Sequence, residues 1–346
     1  MFSSSPRFPL FALVASALAV SAAQNLSLEI TGPKSVNTVA NLKVVATVIN
    51  TGEKILKLLN EPRSTLSKLP AHTFSIVDQT GASPQFIGIK YKYVQINAAA
   101  AKAFTVLAPG QSVRIEHDLS EAYNFTSPGE GIYSFEAQNV FYNVGDNGVI
   151  TPIYADTQAH SVSLSGQLAI APSRVSKRAT FNGCSSSQQS ALNSAAAAAK
   201  TYATSALSYA NSHTSATSRY TTWFGTYTTA RHNTIVSHYS HISSSDFNNF
   251  TFDCTCTDSG TYAYVYPNNF GTIYLCDAFW DAPLTGTDSK GGTVIHESSH
   301  FTRNGGTNDH VYGQSACKSL AQSNSDFAIQ NADSHEYFAE NNPALA

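Results

Sequence analysis

The pentapeptide His296-Glu297-Ser298-Ser299-His300 is the first place in this 346-residue chain where residue type and spacing imply chemistry. On a helix, positions i and i+4 share a face, so both imidazoles can reach one Zn²⁺. Glu297 then stands beside the metal, where it can take a proton from a water activated by zinc. Gly291-Gly292-Thr293 supplies a helix start and Asn304-Gly305-Gly306 a stop. Three fixed positions at about 1 in 20 each would give roughly 0.04 chance matches in a chain of this length, so the pattern carries weight.

A catalytic zinc needs a third protein ligand and an open position. The metzincin pattern would place a histidine at 306, and Gly306 stands there, which excludes that class. Asp309 and His310 follow just beyond the glycine turn. Farther on come Asp333, His335 and Glu336, which a second helix could bring back as in thermolysin-like enzymes. An aspartate with two neutral imidazoles would leave the site at a net single positive charge, enough to acidify water. The remaining histidines, such as His232, His238 and His241, are scattered and read as surface or structural residues.

Several elements must position these groups. Ser187–Tyr209 is Ala/Ser-rich with high helix propensity, and Thr221–Tyr239 reads as a second helix. Thr261–Leu275 is aromatic and β-branched around Pro267-Asn268-Asn269-Phe270-Gly271, which predicts a hairpin. Helices, a small sheet and more helices make α+β the expected class. The five cysteines, Cys184, Cys254, Cys256, Cys276 and Cys317, suggest two disulfides and one thiol left over. Cys254 and Cys256 are too close in sequence to pair with each other in relaxed geometry. Zinc-ribbon spacing is absent, which argues against a Cys-ligated metal.

All of this lies in the second half of the chain. Residues 1–179 carry 14 Lys and Arg against 11 Asp and Glu, while residues 180–346 carry 6 against 12. The first half reads differently. Residues 1–23 resemble a secretory signal: Arg7, the apolar run Leu10–Val20, then Ser21-Ala22-Ala23. The run is too short to span a bilayer. Residues 24–178 alternate polar and apolar at 28–30, 41–50, 112–117 and 131–140, with breakers such as Pro109-Gly110 and Pro128-Gly129 between, which predicts an all-β, sandwich-like domain. Ala98–Ala101 reads as a loop or helical turn. The dibasic Lys177-Arg178 sits at the change of composition, where processing endoproteases of secretory compartments would cut. Residues 24–178 are therefore expected to form a β-rich propeptide and 179–346 the catalytic domain. Sequons stand at Asn25, Asn124 and Asn249. The low overall charge argues against nucleic acid as a partner.

One further stretch narrows the chemistry. Gly306-Thr307-Asn308-Asp309-His310-Val311-Tyr312-Gly313 fits the G-T-x-D-x-x-Y-G pattern of the aspzincin, or deuterolysin-like, zinc metallopeptidases. Within that family the chain resembles the fungal peptidyl-Lys metalloendopeptidases. The resemblance runs through the segments at 184–187, 219–225, 252–256, 296–306 and 331–337.

The resemblance implies a zincin-like, mainly helical catalytic domain with a small sheet. His296, His300 and Asp309 would hold one zinc, Glu297 would be the general base, and Tyr312 would donate to the oxyanion. Asp333, with Glu336 in support, would receive the ammonium of a lysine on the amino side of which the bond is cut. An i, i+3 pair places both carboxylates on one helix face, and the acidic half would steer cationic substrates toward them. The implied disulfides are Cys184–Cys254 and Cys256–Cys276, with Cys317 outside the family pattern. The expected molecule is a secreted, monomeric zinc endopeptidase acting on lysine-containing polypeptides, with its own propeptide as a partner. A deuterolysin of broader specificity is the alternative within the class. A secreted, zinc-stabilised binding protein without turnover is the alternative outside it, and an intact Glu297 and Tyr312 would argue against that one.

Overall fold

The computed structural model describes residues 25–170 and 181–346. The signal segment at 1–23 and the dibasic pair Lys177-Arg178 lie outside the described residues. In the N-terminal half the alternation of the sequence becomes strand pairing. The strand Lys43–Asn50 turns Val44, Ala46 and Val48 inward. It pairs antiparallel with Leu26–Thr31 on one side and Ser112–Asp118 on the other. A second four-stranded sheet is centred on His160–Gln167 and Gly131–Ala137. Inward residues of both, among them Leu28, Val44, Phe74, Phe135 and Leu164, form one apolar core. A third sheet joins Ile150–Tyr154, Val140–Val144, Leu56–Leu59 and Phe104–Leu107. The alanine run belongs to a short helix, Gln95–Ala100.

The C-terminal half is helical around a second core. The helix Ser186–Ser212 starts with a reciprocal capping box between Ser185 and Gln188. Its buried face is a stripe of Ala195, Ala199, Ala203, Ala206 and Ala210. Side chains this small let neighbouring helices pack closely, and Ala keeps helix propensity high.

The helix expected across Thr221–Tyr239 is two helices, Ser218–Phe224 and Thr229–Ser244. Gly225 breaks it. Its φ is 76°, and a Cβ there would lie 2.0 Å from the Ala321 carbonyl oxygen. Only glycine tolerates both conditions.

The predicted hairpin forms from Thr261–Val265 and Thr272–Leu275, paired antiparallel. Disulfides join Cys184 to Cys254 and Cys256 to Cys276. Cys317 is free and buried, with the Asn331 side-chain amide 3.4 Å from its sulfur. Among the described residues no helix is long and apolar enough to cross a membrane.

The two halves meet in one sheet. Its order is Phe181–Asn182, Thr251–Asp253, Thr272–Leu275, Thr261–Val265, and last Lys90–Tyr93 from the N-terminal half. That last strand runs antiparallel to Thr261–Val265, with Tyr91 opposite Tyr264 and Lys92 opposite Ala263. An edge strand of the C-terminal half is thereby covered by the N-terminal half.

Candidate metal centre and lysine pocket

The motif helix runs from Lys290 to His300 and is capped by Ser289, whose Oγ accepts from the Gly292 amide at 2.9 Å. Every residue from Gly291 to His300 is buried. The chain leaves the helix at Phe301, turns through Gly306 at φ 58°, and returns alongside. This turn brings Asp309 back over the histidines. Its Oδ1 lies 3.2 Å from His296 Nε2 and 3.2 Å from His300 Nε2. All three atoms are buried without a hydrogen bond of ordinary geometry. Three converging ligand atoms with no other partner fit a zinc ion, which prefers nitrogen and carboxylate donors in this number when a position stays open. The ring of His300 is oriented by its Nδ1, 3.0 Å from the Thr307 carbonyl oxygen. That contact leaves Nε2 for a metal. Burial opposes ionisation of Asp309, but His300 and His296 outweigh it and hold the carboxyl far below its usual range.

The other histidines go elsewhere. His310 stacks flat on Phe327 at 4.6 Å between centroids, and its backbone amide donates to Asn331. His335 is buried with Nδ1 2.9 Å from the Asn331 carbonyl oxygen and Nε2 3.0 Å from His238. His232 and His241 contact the backbone carbonyls of Ala210 and Asn304.

Asp333 and Glu336 lie on the helix Ala332–Glu340, fully buried, on the far side of His296. Asp333 Oδ1 is 2.7 Å from His296 Nδ1, and Asp333 Oδ2 accepts from the Gly313 amide at 2.7 Å. Glu336 Oε2 is 3.4 Å from the same imidazole nitrogen. This helix packs tightly against the motif helix: a Cβ on Gly292 would fall 2.0 Å from Glu340 Oε1 and 2.8 Å from Glu336 Oε1. Any larger residue at 292 would require both carboxylates to shift.

The cation in that pocket is Lys92. Its Nζ lies 2.8 Å from Glu336, 3.0 Å from Asp288 and 3.5 Å from Asp333, with its side chain wholly buried. The rings of Tyr262 and Tyr337 wall the ammonium at 5.4 and 5.6 Å. Burial alone would push the ammonium toward neutrality, but Asp333, Glu336 and Asp288 overcome it and hold the group well above its ordinary value. Burial raises Glu336, with Lys92 pulling against it, whereas in Asp333 the pull of Lys92 and His296 prevails over burial.

Glu297 is buried, and neither oxygen has a hydrogen bond of ordinary geometry. Burial raises its carboxyl well above the usual range; His296 and the Lys92 backbone amide pull it back. The Tyr312 hydroxyl donates to the Tyr91 carbonyl oxygen at 3.1 Å.

Sequence reasoning missed three participants. Asp288 stands just before the helix cap and reads there as a turn residue; its Oδ1 accepts from the Tyr337 hydroxyl at 2.7 Å. Glu340 accepts from the Ser289 amide and hydroxyl. Lys92 is one of several lysines in its half, and nothing local marks it.

A buried helix presenting two histidines four apart, a carboxylate returned from the following turn and a glutamate beside them define a metallopeptidase. The sequence profile described as lysine-specific metallo-endopeptidase, of the aspzincins, matches residues 209–340. A peptidyl-Lys metalloendopeptidase of Grifola frondosa is 56% identical over 339 residues, spanning 96% of this chain and 97% of its own length. One from Armillaria mellea is 55% identical over 350 residues, spanning 99% of each. The solved structure of a zinc peptidase from Grifola frondosa is 63% identical, covers 47% of this chain and 100% of its own, and has a TM-score of 0.47. The chain belongs to the aspzincin family of lysine-specific metallo-endopeptidases.

Proposed function

We propose that this chain is made as a secreted preproenzyme whose C-terminal domain, residues 179–346, hydrolyses peptide bonds on the amino side of lysine. The observation that carries the reading is the pocket around Lys92: three carboxylates and two tyrosine faces enclose one ammonium beside the histidine pair. A compact, strongly hydrated ammonium leaves water only when several charges replace its shell. The name of the relatives, peptidyl-Lys metalloendopeptidase, agrees with that chemistry.

In this reading His296, His300 and Asp309 hold one zinc. When bound, zinc supplies Lewis acidity, making water a nucleophile at neutral pH and polarising the carbonyl. The rest is done by side chains. Glu297 takes the proton of the attacking water and delivers it to the leaving amine. Tyr312 donates its phenol proton to the carbonyl oxygen as charge builds there. Asp333 and Glu336, joined by Asp288, seat the lysine side chain so that its own amide is the one presented. His300 is kept in one tautomer by Thr307.

Residues 1–23 act as the signal, and 24–178 form a sandwich-like propeptide removed after Arg178. The working product is a monomer. Asn25 and Asn249 are exposed and Asn124 is half-buried, and all three are proposed glycosylation positions.

The test is a digest. The secreted, processed protein is incubated with a mixed protein substrate, with and without a chelator, and the new N-termini are sequenced. Lysine should lead the new termini, and the chelator should abolish them. Cleavage that ignores the chelator would overturn the metal centre. Termini without lysine enrichment would leave a protease and remove the pocket's role.

A further inference from the structure

The strand Lys90–Tyr93 does more than cover an edge. It places a peptide bond against the groups assigned to hydrolysis. The carbonyl oxygen of Tyr91 accepts from Tyr312, and the Tyr91 amide donates to Asp309 Oδ2 at 3.1 Å. The next residue, Lys92, sends its ammonium into the acidic pocket, 2.8 Å from Glu336. Neighbouring contacts fix this register. Lys90 Nζ donates to Asn308 Oδ1 at 2.9 Å, the Tyr91 and Tyr312 rings lie 5.7 Å apart, and Tyr93 is buried in the cluster between the halves. A one-residue slip would withdraw the ammonium and turn every side chain of the strand to the other face.

We propose that Tyr91–Lys92 is a cleavage site of the enzyme's own centre, so that the N-terminal half is at once its occupant and its first substrate. The inference rests on the reading that the centre cuts before lysine. Water adds its oxygen to the Tyr91 carbonyl carbon and the C–N bond breaks. Tyr91 leaves as a carboxylate, and the Lys92 nitrogen takes both protons of the water to become an α-ammonium group. No electron transfer and no co-reactant besides water is involved. A cut at the dibasic pair, far along the sequence, breaks no bond within 90–93, and the contacts in the cleft are made by 90–93. Vacating the cleft takes a second event, and scission at 91–92 splits the strand that holds it.

The experiment uses the full chain. It is purified metal-free, as wild type, Lys92→Ala and Lys92→Arg, then loaded with zinc and followed by intact mass and N-terminal sequencing. Wild type should release a fragment beginning Lys92-Tyr93-Val94, before cuts at the other lysines of its half. Lys92→Ala should lack that fragment. Amide hydrogen exchange on the metal-free proteins gives a readout independent of activity. Residues 261–265 should exchange at least tenfold faster in Lys92→Ala than in wild type. Lys92→Arg, which keeps the charge and the pairing, should retain protection there, and unchanged exchange in 43–50 shows that both variants fold. Zinc-loaded wild type that cuts an added lysyl peptide yet keeps 91–92 intact overturns the proposal, as does exchange at 261–265 that ignores Lys92→Ala. Cleavage of added peptides without lysine preference, or no cleavage at all, overturns the underlying reading instead, and this inference with it.

Discussion

The Asp333 carboxylate lies 2.7 Å from Nδ1 of His296, and the same oxygen faces the ammonium of Lys92 at 3.5 Å. One carboxylate thus touches both the histidine that presents Nε2 to the metal site and the cation that fills the lysine pocket. Partners of this kind orient a metal-binding imidazole and raise its basicity.

Asp333→Asn should therefore damage two properties together. Zinc affinity should fall by about tenfold or more, the usual cost of losing such a partner, and preference for lysine should fall with it. Competition against a chromophoric chelator measures the first, and kcat/KM for lysyl against non-lysyl peptides the second. Unchanged zinc affinity would mean that the carboxylate does not act on His296.

Asp288 offers the contrasting case. It contacts Lys92 at 3.0 Å but no metal-site residue, and its side chain is 21% exposed. Asp288→Asn should raise KM for lysyl peptides by roughly three- to tenfold, in keeping with about 1 kcal/mol for a partly screened pair. Zinc affinity should not move. A drop in kcat at constant KM would place its role in the chemical step.

Tyr312→Phe removes one hydroxyl. If that hydroxyl stabilises the developing oxyanion, kcat should fall by about 100- to 1000-fold while zinc content stays at wild type. Burial and Asp309 hold this phenol well above its ordinary value, so it keeps its proton through the neutral range and can donate. A loss confined to KM would contradict the assignment.

Glu340 predicts a pH dependence. Burial and the neighbouring Glu336 push its carboxyl from 4.5 up to about 9. The folded chain keeps a proton that the unfolded chain releases above about 4.5. Its contribution to stability is therefore complete below that value and is lost as pH rises toward 9, by at most about 1.4 kcal/mol per pH unit. Glu340→Gln, which can accept the same bonds from Ser289, should flatten that decline. Denaturant midpoints at pH 5 and pH 9 give the comparison, and parallel slopes for both proteins would refute it.

Much of the centre was legible in the order of residues. Spacing in His296–His300 specifies a shared helical face, and Gly306 with Asp309 specifies a turn and a carboxylate soon after, because helix geometry and turn chemistry are local. The i, i+3 pair Asp333 and Glu336 was legible for the same reason. The break at Gly225 was not: its cause is the backbone of residue 321, which is remote in sequence. Asp288 was hidden likewise, since only the approach of Lys92 and Tyr337 gives it a function.

The sequence by itself offered, from spacing, a histidine pair and a glutamate suited to zinc and proton transfer, and, through the family resemblance, Asp309 as third ligand and Asp333 with Glu336 for an ammonium. Only the tertiary structure decided which carboxylates converge on which cation. It also decided that the cation is Lys92, 241 positions away from Asp333. Strand pairing across the two halves and the packing of the helix Ala332–Glu340 against the motif helix bring them together. No local pattern encodes either, because each depends on long-range burial of apolar surface and pairing of backbone hydrogen bonds.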